Sequence, residues 1–353
     1  MTLTIWTGGR ALEIAARDGE TILEAALAAG IRFPFGCRSG ECGVCKCELV
    51  AGPSLEMRAQ ASLALSPREM ARGRILACCA VLRGPTAIRL AHQDVVDQHA
   101  LSCRVVAIDH PTEDVAVLRV QPELGRSLPF KAGQFARICL ADGAERAYSM
   151  ANRPDEQVLE FHVRRWPDGA VSGPIHDVLA AGDRLVVKGP FGDAWLRADH
   201  PGPILAIAAG TGLAPVKSIV RTALALDGRR RIDVYFGVRR WQQFYDLEDF
   251  RWLAKTHPNV RFVPVAEQGD GRAWRTGRVI DRVAEDVVAF AGGKLYIAGP
   301  PAMVQAGMAL ADRLGIGAPD RHFDAFAPAT DAVSSPVADG VVVAARSAAG
   351  GRP

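Results

Sequence analysis

Eleven residues, Cys37 to Cys47, read CRSGECGVCKC and hold four of the chain's eight cysteines. Cys37, Cys42 and Cys45 stand as C-x4-C-x2-C. Thiolates at this density suit a zinc knot, a disulfide framework, a redox thiol pair or an iron–sulfur cluster. Three in one loop, completed by a fourth from further along the chain, is the spacing that holds a [2Fe–2S] cluster. A structural zinc site more often pairs two C-x2-C knuckles, or one such knuckle with an H-x3-H, and no second pair exists here. Gly36, Gly40 and Gly43 let the loop curl and aim backbone N–H groups at sulfur. The fourth thiolate stands in GRILACCAVL, at Cys78 or Cys79. Alternation through RILACC reads as a strand, on which only one of two adjacent cysteines faces the cluster. Cys47, Cys103 and Cys139 fall in other strand-like runs and read as small packed thiols.

Two further groups of residues could do chemistry. In RAYSMANRP, Arg146, Tyr148 and Ser149 form R-x-Y-S. On a strand Arg146 and Tyr148 share a side, so a guanidinium for pyrophosphate and a phenol ring for a flat heterocycle address one ligand together. The Ser149 hydroxyl can donate to a ring nitrogen. Downstream, GAVSGPIHDVL puts Gly169, Ala170, Val171 and Ser172 at the start of a helix, where free N–H groups favour phosphate. The third group is AAGTGLAPVKSIV, after an apolar strand and opening a helix. It lacks the G-x-G-x-x-G fingerprint, yet Gly210 and Gly212 let a phosphate or nicotinamide ring approach the backbone at the strand's carboxyl end. Pro215 sits in the first helical turn, where its missing N–H costs nothing. YIAGPPAMV makes a second such crossing at Gly299. Taken singly, either glycine loop also reads as an ordinary tight turn.

Elements must position these residues, and the chain is long enough for two or three domains at 353 residues. Residues 1–92 open with two alternating stretches, LTIWT and ALEIAA, then a helical GETILEAALAAG and the cysteine loop. Residues 93–101 read as a polar linker. Residues 102–198 show short alternating runs separated by turn residues, as in a small antiparallel barrel. From 199 to 327 apolar strands alternate with helices, which predicts a parallel α/β sheet. Residues 328–353, rich in Ala, Gly, Ser and Pro, read as a flexible tail.

Composition narrows the function. A formal net charge of +3 argues against nucleic acid as a main partner. No secretory pattern opens the chain, and the longest apolar candidate, PILAIAAGTGLAPV, is short and broken by Gly and Pro. We expect a cytoplasmic protein with reduced thiols and no membrane span.

With these motifs in this order, the chain resembles the ferredoxin–NADP reductase superfamily in the form that carries an N-terminal plant-type ferredoxin domain. CRSGECGVCKC, RAYSMAN, GTGLAPVKSIVR, VYFGVRRWQQFYDLE and HFDAF look most like reductase components of naphthalene, carbazole and terephthalate dioxygenases. The resemblance implies a multidomain α+β and α/β protein: a β-grasp ferredoxin domain, an antiparallel FAD-binding β-barrel and a parallel α/β NAD(P)H-binding domain. It maps the fourth cluster ligand to Cys78, where relatives read L-[AL]-C-Q. It sets Arg146 near the FAD phosphates, Tyr148 along the isoalloxazine and Ser149 toward the reactive flavin nitrogen. Gly169, Ala170, Val171 and Ser172 would hold the pyrophosphate, with further FAD or nicotinamide contacts at Ala147, His162, Val163, Arg164 and Phe326. Gly210, Thr211, Gly212, Gly299 and Pro300 would receive NAD(P)H. Many relatives have cysteine where this chain has Ala298; because hydride transfer needs alignment more than an acid or base, activity is still expected.

The resemblance further implies an oxidoreductase, acting as a monomer, that moves electrons from NAD(P)H through FAD and [2Fe–2S] to an external acceptor. That acceptor is a small ferredoxin or a terminal Rieske-type oxygenase; a di-iron monooxygenase or a deoxysugar dehydrase would use the same electron path. A binding module that keeps the fold without the activity is the reading from another class. Charge at Arg239 and Arg240, with no acid until Asp246, favours NADPH. Relatives that degrade aromatic compounds use NADH, and NADH is the expected donor with NADPH active beside it.

Overall fold

The computed structural model describes residues 1–31, 33–35, 40, 43–53, 55–57, 65, 67–90, 99–269, 275–326 and 342–343. They fall into two compact units, Met1–Asp97 with Ala327–Pro353, and Gln98–Phe326.

In the first unit β1 (Thr2–Thr7) and β2 (Arg10–Ala15) form the hairpin expected from their alternation, with Leu3 and Ile5 fully buried. Helix α1 (Ile22–Ala28) begins at a capping box. Thr21 Oγ1 accepts from the Glu24 amide at 3.2 Å, and Glu24 Oε2 accepts from the Thr21 amide at 2.7 Å. Next come β3 (Lys46–Ala51), β4 (Leu55–Met57), α2 (Pro67–Ala71), β5 (Arg74–Leu76), β6 (Ala80–Val81) and β7 (Thr86–Arg89). The main sheet runs β2-β1-β7-β3-β5, with β1 and β7 parallel at its centre. With the apolar face of α1 buried, this is a β-grasp arrangement.

The strand expected through RILACC ends early. Strand β5 stops at Leu76, and Ala77, Cys78 and Cys79 form a turn before β6. Alternation therefore cannot choose between the two cysteines, since a turn does not send neighbouring side chains to opposite faces. Both are buried.

The second unit opens with a six-stranded antiparallel barrel. Its strands are β8 (His99–Thr112), β9 (Val115–Pro122), β10 (Phe135–Cys139), β11 (Glu145–Ser149), β12 (Leu159–Arg164) and β13 (Arg184–Phe191), with α3 (Ser172–Asp177) before the last. The order is β11-β10-β13-β8-β9-β12, and a Met150–Phe161 bridge joins the ends. Inward residues such as Val105, Leu118, Ile138 and Phe161 fill it. His99, Ala100 and Leu101, read from sequence as linker, open β8; residues 91–98 lie outside the described residues.

The α/β portion contains β14 (Ile204–Ala209), α4 (Leu213–Leu226), β15 (Ile232–Arg240), α5 (Leu247–Thr256), β16 (Val260–Gln268) and β17 (Arg275–Thr276). It continues through α6 (Val279–Asp286), β18 (Lys294–Gly299), α7 (Pro301–Arg313) and β19 (Arg321–Ala325). All six strands are parallel, in the order β17-β16-β15-β14-β18-β19. Ile204, Ala206 and Ala208 of β14 enter one core, while Leu205 and Ile207 enter the other. Burial on both faces explains why these strands read as continuous apolar runs. The order reverses between β14 and β18, the switch point outside which ligands bind in such sheets. Of the tail expected over 328–353, Val342–Val343 forms β20, antiparallel to β4; the rest lies outside the described residues.

Candidate functional site

In the first unit the fold brings Cys45, just before β3, against Cys78 in the β5–β6 turn. Their sulfurs are 3.2 Å apart and both residues are buried. Cys79 Sγ lies 3.6 Å from Cys78 Sγ. Two facing, buried thiols are a soft donor set suited to iron. Gly40 and Gly43 take left-handed φ of 84° and 69°, which glycine adopts without steric cost. Cys37 and Cys42 lie outside the described residues. The other cysteines behave as packed thiols: Cys47 is fully buried in β3, and burial pushes the Cys103 thiol up to about 12. Burial, then Glu145, also raises the Cys139 thiol.

On the barrel, Arg146 and Tyr148 pair with Ile138 and Ala136 of β10 and so share a side of the strand. Arg146 and Ala147 are exposed, and the Arg146 Nη1 donates to its neighbour's carbonyl, Glu145 O, at 2.9 Å. Tyr148 packs on the barrel core, and burial holds its phenol pKa well above the ordinary value. Ser149 is buried and its Oγ donates to Asp324 Oδ2 of β19 at 2.9 Å. On β12, Val163 is buried and Arg164 is exposed, its guanidinium over the Trp166 ring at 5.6 Å. The His162 ring is wholly enclosed: Nδ1 is 2.9 Å from Tyr245 Oη and Nε2 is 3.3 Å from Glu160 Oε1. Its ring is thus committed to protein partners, and its main chain is what remains for a cofactor. Gly169, Ala170 and Val171 lead into α3, and Ser172 Oγ accepts from the Trp166 amide at 3.2 Å. A Cβ at Gly169 would sit 2.2 Å from that oxygen, so the cradle closes only around glycine.

At the switch point Gly210, Thr211 and Gly212 form a single 3-10 turn between β14 and α4. The two glycines differ in purpose. Gly210 has φ of 54° with open space where a Cβ would be. Gly212 packs against β18, where a Cβ would lie 2.1 Å from the Ala298 carbonyl oxygen. Gly299 ends β18 with Pro300 exposed beside it, and the Phe326 amide donates to Gly299 O at 2.9 Å. Arg239 and Arg240 are exposed at the end of β15, and the Arg240 amide donates to Gln243 Oε1 at 3.0 Å. Asp246, the first acid after them, turns inward and accepts from Lys217 Nζ at 2.7 Å. Glu160 Oε1 accepts from the same ammonium at 3.0 Å. Burial alone would raise the Glu160 carboxyl, but the His162 hydrogen bond and the Lys217 charge overcome it and hold the group far below the usual range. The structure thus holds three groups of residues: facing buried thiols, a strand beside a glycine cradle, and an open glycine turn at the switch point.

Three family descriptions match this chain in succession, one in the first unit and two in the second. A 2Fe-2S iron-sulfur cluster binding domain matches residues 7–83, an oxidoreductase FAD-binding domain residues 102–195, and an oxidoreductase NAD-binding domain residues 206–308. The ferredoxin–NAD(P)+ reductase component of the naphthalene 1,2-dioxygenase system of Pseudomonas putida is 35% identical, over 93% of this chain and 99% of that one. The reductase subunit of an aromatic O-demethylase from Amycolatopsis sp. is 38% identical, over 94% of this chain and 100% of that one. The chain belongs to the family of FAD- and [2Fe–2S]-containing NAD(P)H reductase components. Among solved structures, the Amycolatopsis cytochrome P450 reductase GcoB matches with a TM-score of 0.74 and 37% identity, covering 93% of this chain and 100% of that one. A ferredoxin reductase in carbazole 1,9a-dioxygenase matches with a TM-score of 0.66 and 27% identity, covering 92% and 98%.

As a member of this reductase family the chain is an oxidoreductase with a [2Fe–2S] domain, an FAD-binding domain and an NAD-binding domain. Among the described residues no helix is long and apolar enough to cross a membrane. Sequence reasoning missed three residues at the site: Lys217, Tyr245 and Asp324. HFDAF stood out as a familiar phrase, but nothing in its spacing links Asp324 to Ser149, 175 residues away.

Proposed function

We propose that this reductase takes electrons from NADH, with NADPH as a second donor, and delivers them singly to a ring-hydroxylating oxygenase system for aromatic compounds. The acceptor is a small ferredoxin or the Rieske-type oxygenase itself, and the reductase works as a cytoplasmic monomer. The order of the three domains, shared with the naphthalene-system reductase over nearly its whole length, carries this reading. A cytochrome P450 acceptor is the second reading, favoured by the likeness to the O-demethylase reductase subunit and to GcoB.

In this reading Cys37, Cys42, Cys45 and Cys78 hold the cluster. Arg146, with Gly169, Ala170, Val171 and Ser172, would hold the FAD phosphates, and Tyr148 would pack against the flavin ring. When bound, FAD would supply a two-electron hydride acceptor and the [2Fe–2S] cluster a one-electron carrier. The protein's part is alignment. Asp324 accepts from the Ser149 hydroxyl and so orients it. The Gly210 turn would leave backbone open to the nicotinamide, and Gly299, packed against Met303 and Ala209, would flank it with Phe326.

The test uses two acceptors. NADH should drive reduction of both ferricyanide and cytochrome c by the full chain. Cys78→Ser should lose iron and cytochrome c reduction while keeping FAD and ferricyanide reduction, and Cys79→Ser should keep all four. Iron loss in Cys79→Ser with none in Cys78→Ser would move the fourth ligand by one residue. No NADH-driven reduction of either acceptor would sink the reductase reading.

A further inference from the structure

The Lys217 ammonium lies on α4, the helix that the Gly210 turn opens, and its side chain is only 7% exposed. It reaches Glu160 Oε1 of the barrel at 3.0 Å, Asp246 Oδ2 at 2.7 Å and Asp249 Oδ2 at 3.8 Å. Glu160 also accepts from Arg119 Nε at 2.9 Å and faces His162, whose other nitrogen meets Tyr245. Tyr245 Oη also lies 3.4 Å from Gly210 O. These contacts close a ring: turn to α4, α4 to β12, β12 to Tyr245, and Tyr245 back to the turn. Asp246 holds a left-handed conformation at φ of 53°, with its carboxylate tied to Lys217.

We propose that Lys217 and Tyr245 are positioning residues, which fix the Gly210 turn against β12 and so set nicotinamide against flavin for hydride transfer. The inference rests on the assignment of Gly210 to the nicotinamide and of β12 to the flavin. A plain structural role would need only that the barrel and the sheet be joined. Elsewhere on α4 that is already done, because Ser218 Oγ donates to Asn152 O at 2.6 Å and Arg221 Nη2 to Glu156 Oε1 at 2.7 Å. The ring is different in ending on a backbone carbonyl of the turn itself. Misplacing reacting groups by about 1 Å can cost about a hundredfold in rate, and a loose turn loses part of that.

Tyr245→Phe deletes one oxygen and leaves the ion pairs in place, so it carries the test in the full-length protein with FAD and iron content verified. Anaerobic stopped-flow mixing with saturating NADH should show flavin reduction slowed about tenfold, with a larger primary isotope effect from NADH deuterated at the transferred position. Hydrogen exchange should quicken in peptides spanning residues 208–214 and stay unchanged in the barrel. Lys217→Met should slow the same step further, and Lys217→Arg should recover most of it. Wild-type rate and isotope effect in Tyr245→Phe would overturn the proposal, as would quicker exchange without a slower hydride step. A wild-type flavin that NADH does not reduce at all would mark failure of the underlying assignment instead.

Discussion

A single side chain can decide which nicotinamide this reductase prefers. A 2′-phosphate wants a cation, while a 2′-hydroxyl wants a carboxylate. The structure removes one candidate for the carboxylate, since Asp246 is bound to Lys217 rather than facing outward. Arg239 and Arg240 are left exposed at the end of β15. A hydrogen bond between a guanidinium and phosphate contributes about 1.5–3 kcal/mol, or about ten- to a hundredfold in affinity. Arg240→Ala should therefore raise KM for NADPH by about tenfold and leave KM for NADH nearly unchanged. Steady-state kinetics with both donors checks this, and parallel movement of the two constants would make Arg240 mere surface charge.

At the scale of elements, the strand–turn–helix from β14 to α4 asks different things of its two glycines. Gly212 is there for packing, because an added methyl group would strike the Ala298 carbonyl, and two backbones cannot yield cheaply. Gly210 has room for a methyl group, and only its left-handed φ resists one. We expect Gly210→Ala to cost about 1 kcal/mol and Gly212→Ala about 3 kcal/mol or more, with loss of the turn's geometry. Urea unfolding of the flavin-loaded variants orders the two, and the reverse order would refute the packing argument.

The whole molecule answers to pH through the first residue of HFDAF. His322 of β19 is buried, stacks on Tyr296 with ring centroids 5.0 Å apart, and has its pKa lowered to about 3. Burial is the main cause, followed by the positive charges of Arg197 and Lys294. A neutral folded imidazole beside an unfolded one that titrates near 6.5 means that the unfolded chain binds the extra proton. Stability is then fully present above that pH and falls as pH drops toward 3. Between pH 7.5 and 5.5 the folded protein should lose about 1 kcal/mol through this group. His322→Phe keeps a ring on Tyr296 without the proton, so its chemical unfolding should be less sensitive to pH by that amount. Equal pH slopes would show that the ring is not held neutral.

What the sequence determined by itself was local. The cysteine spacing, the alternation of barrel strands and the apolar runs of the parallel sheet depend on backbone periodicity and burial, which a short window contains. R-x-Y-S likewise placed Arg146 and Tyr148 on one side of a strand, as the β10–β11 register has them. The tertiary structure decided what depends on distant neighbours. Alternation through RILACC failed because β5 ends at Leu76, and a turn obeys no period of two. Gly212 reads like Gly210 until β18 is laid beside it. Asp324 meets Ser149, and Lys217 gathers Glu160 and Asp246, across separations of 175, 57 and 29 residues. Such pairs carry no spacing signal, because chain folding brings together side chains that no local rule relates.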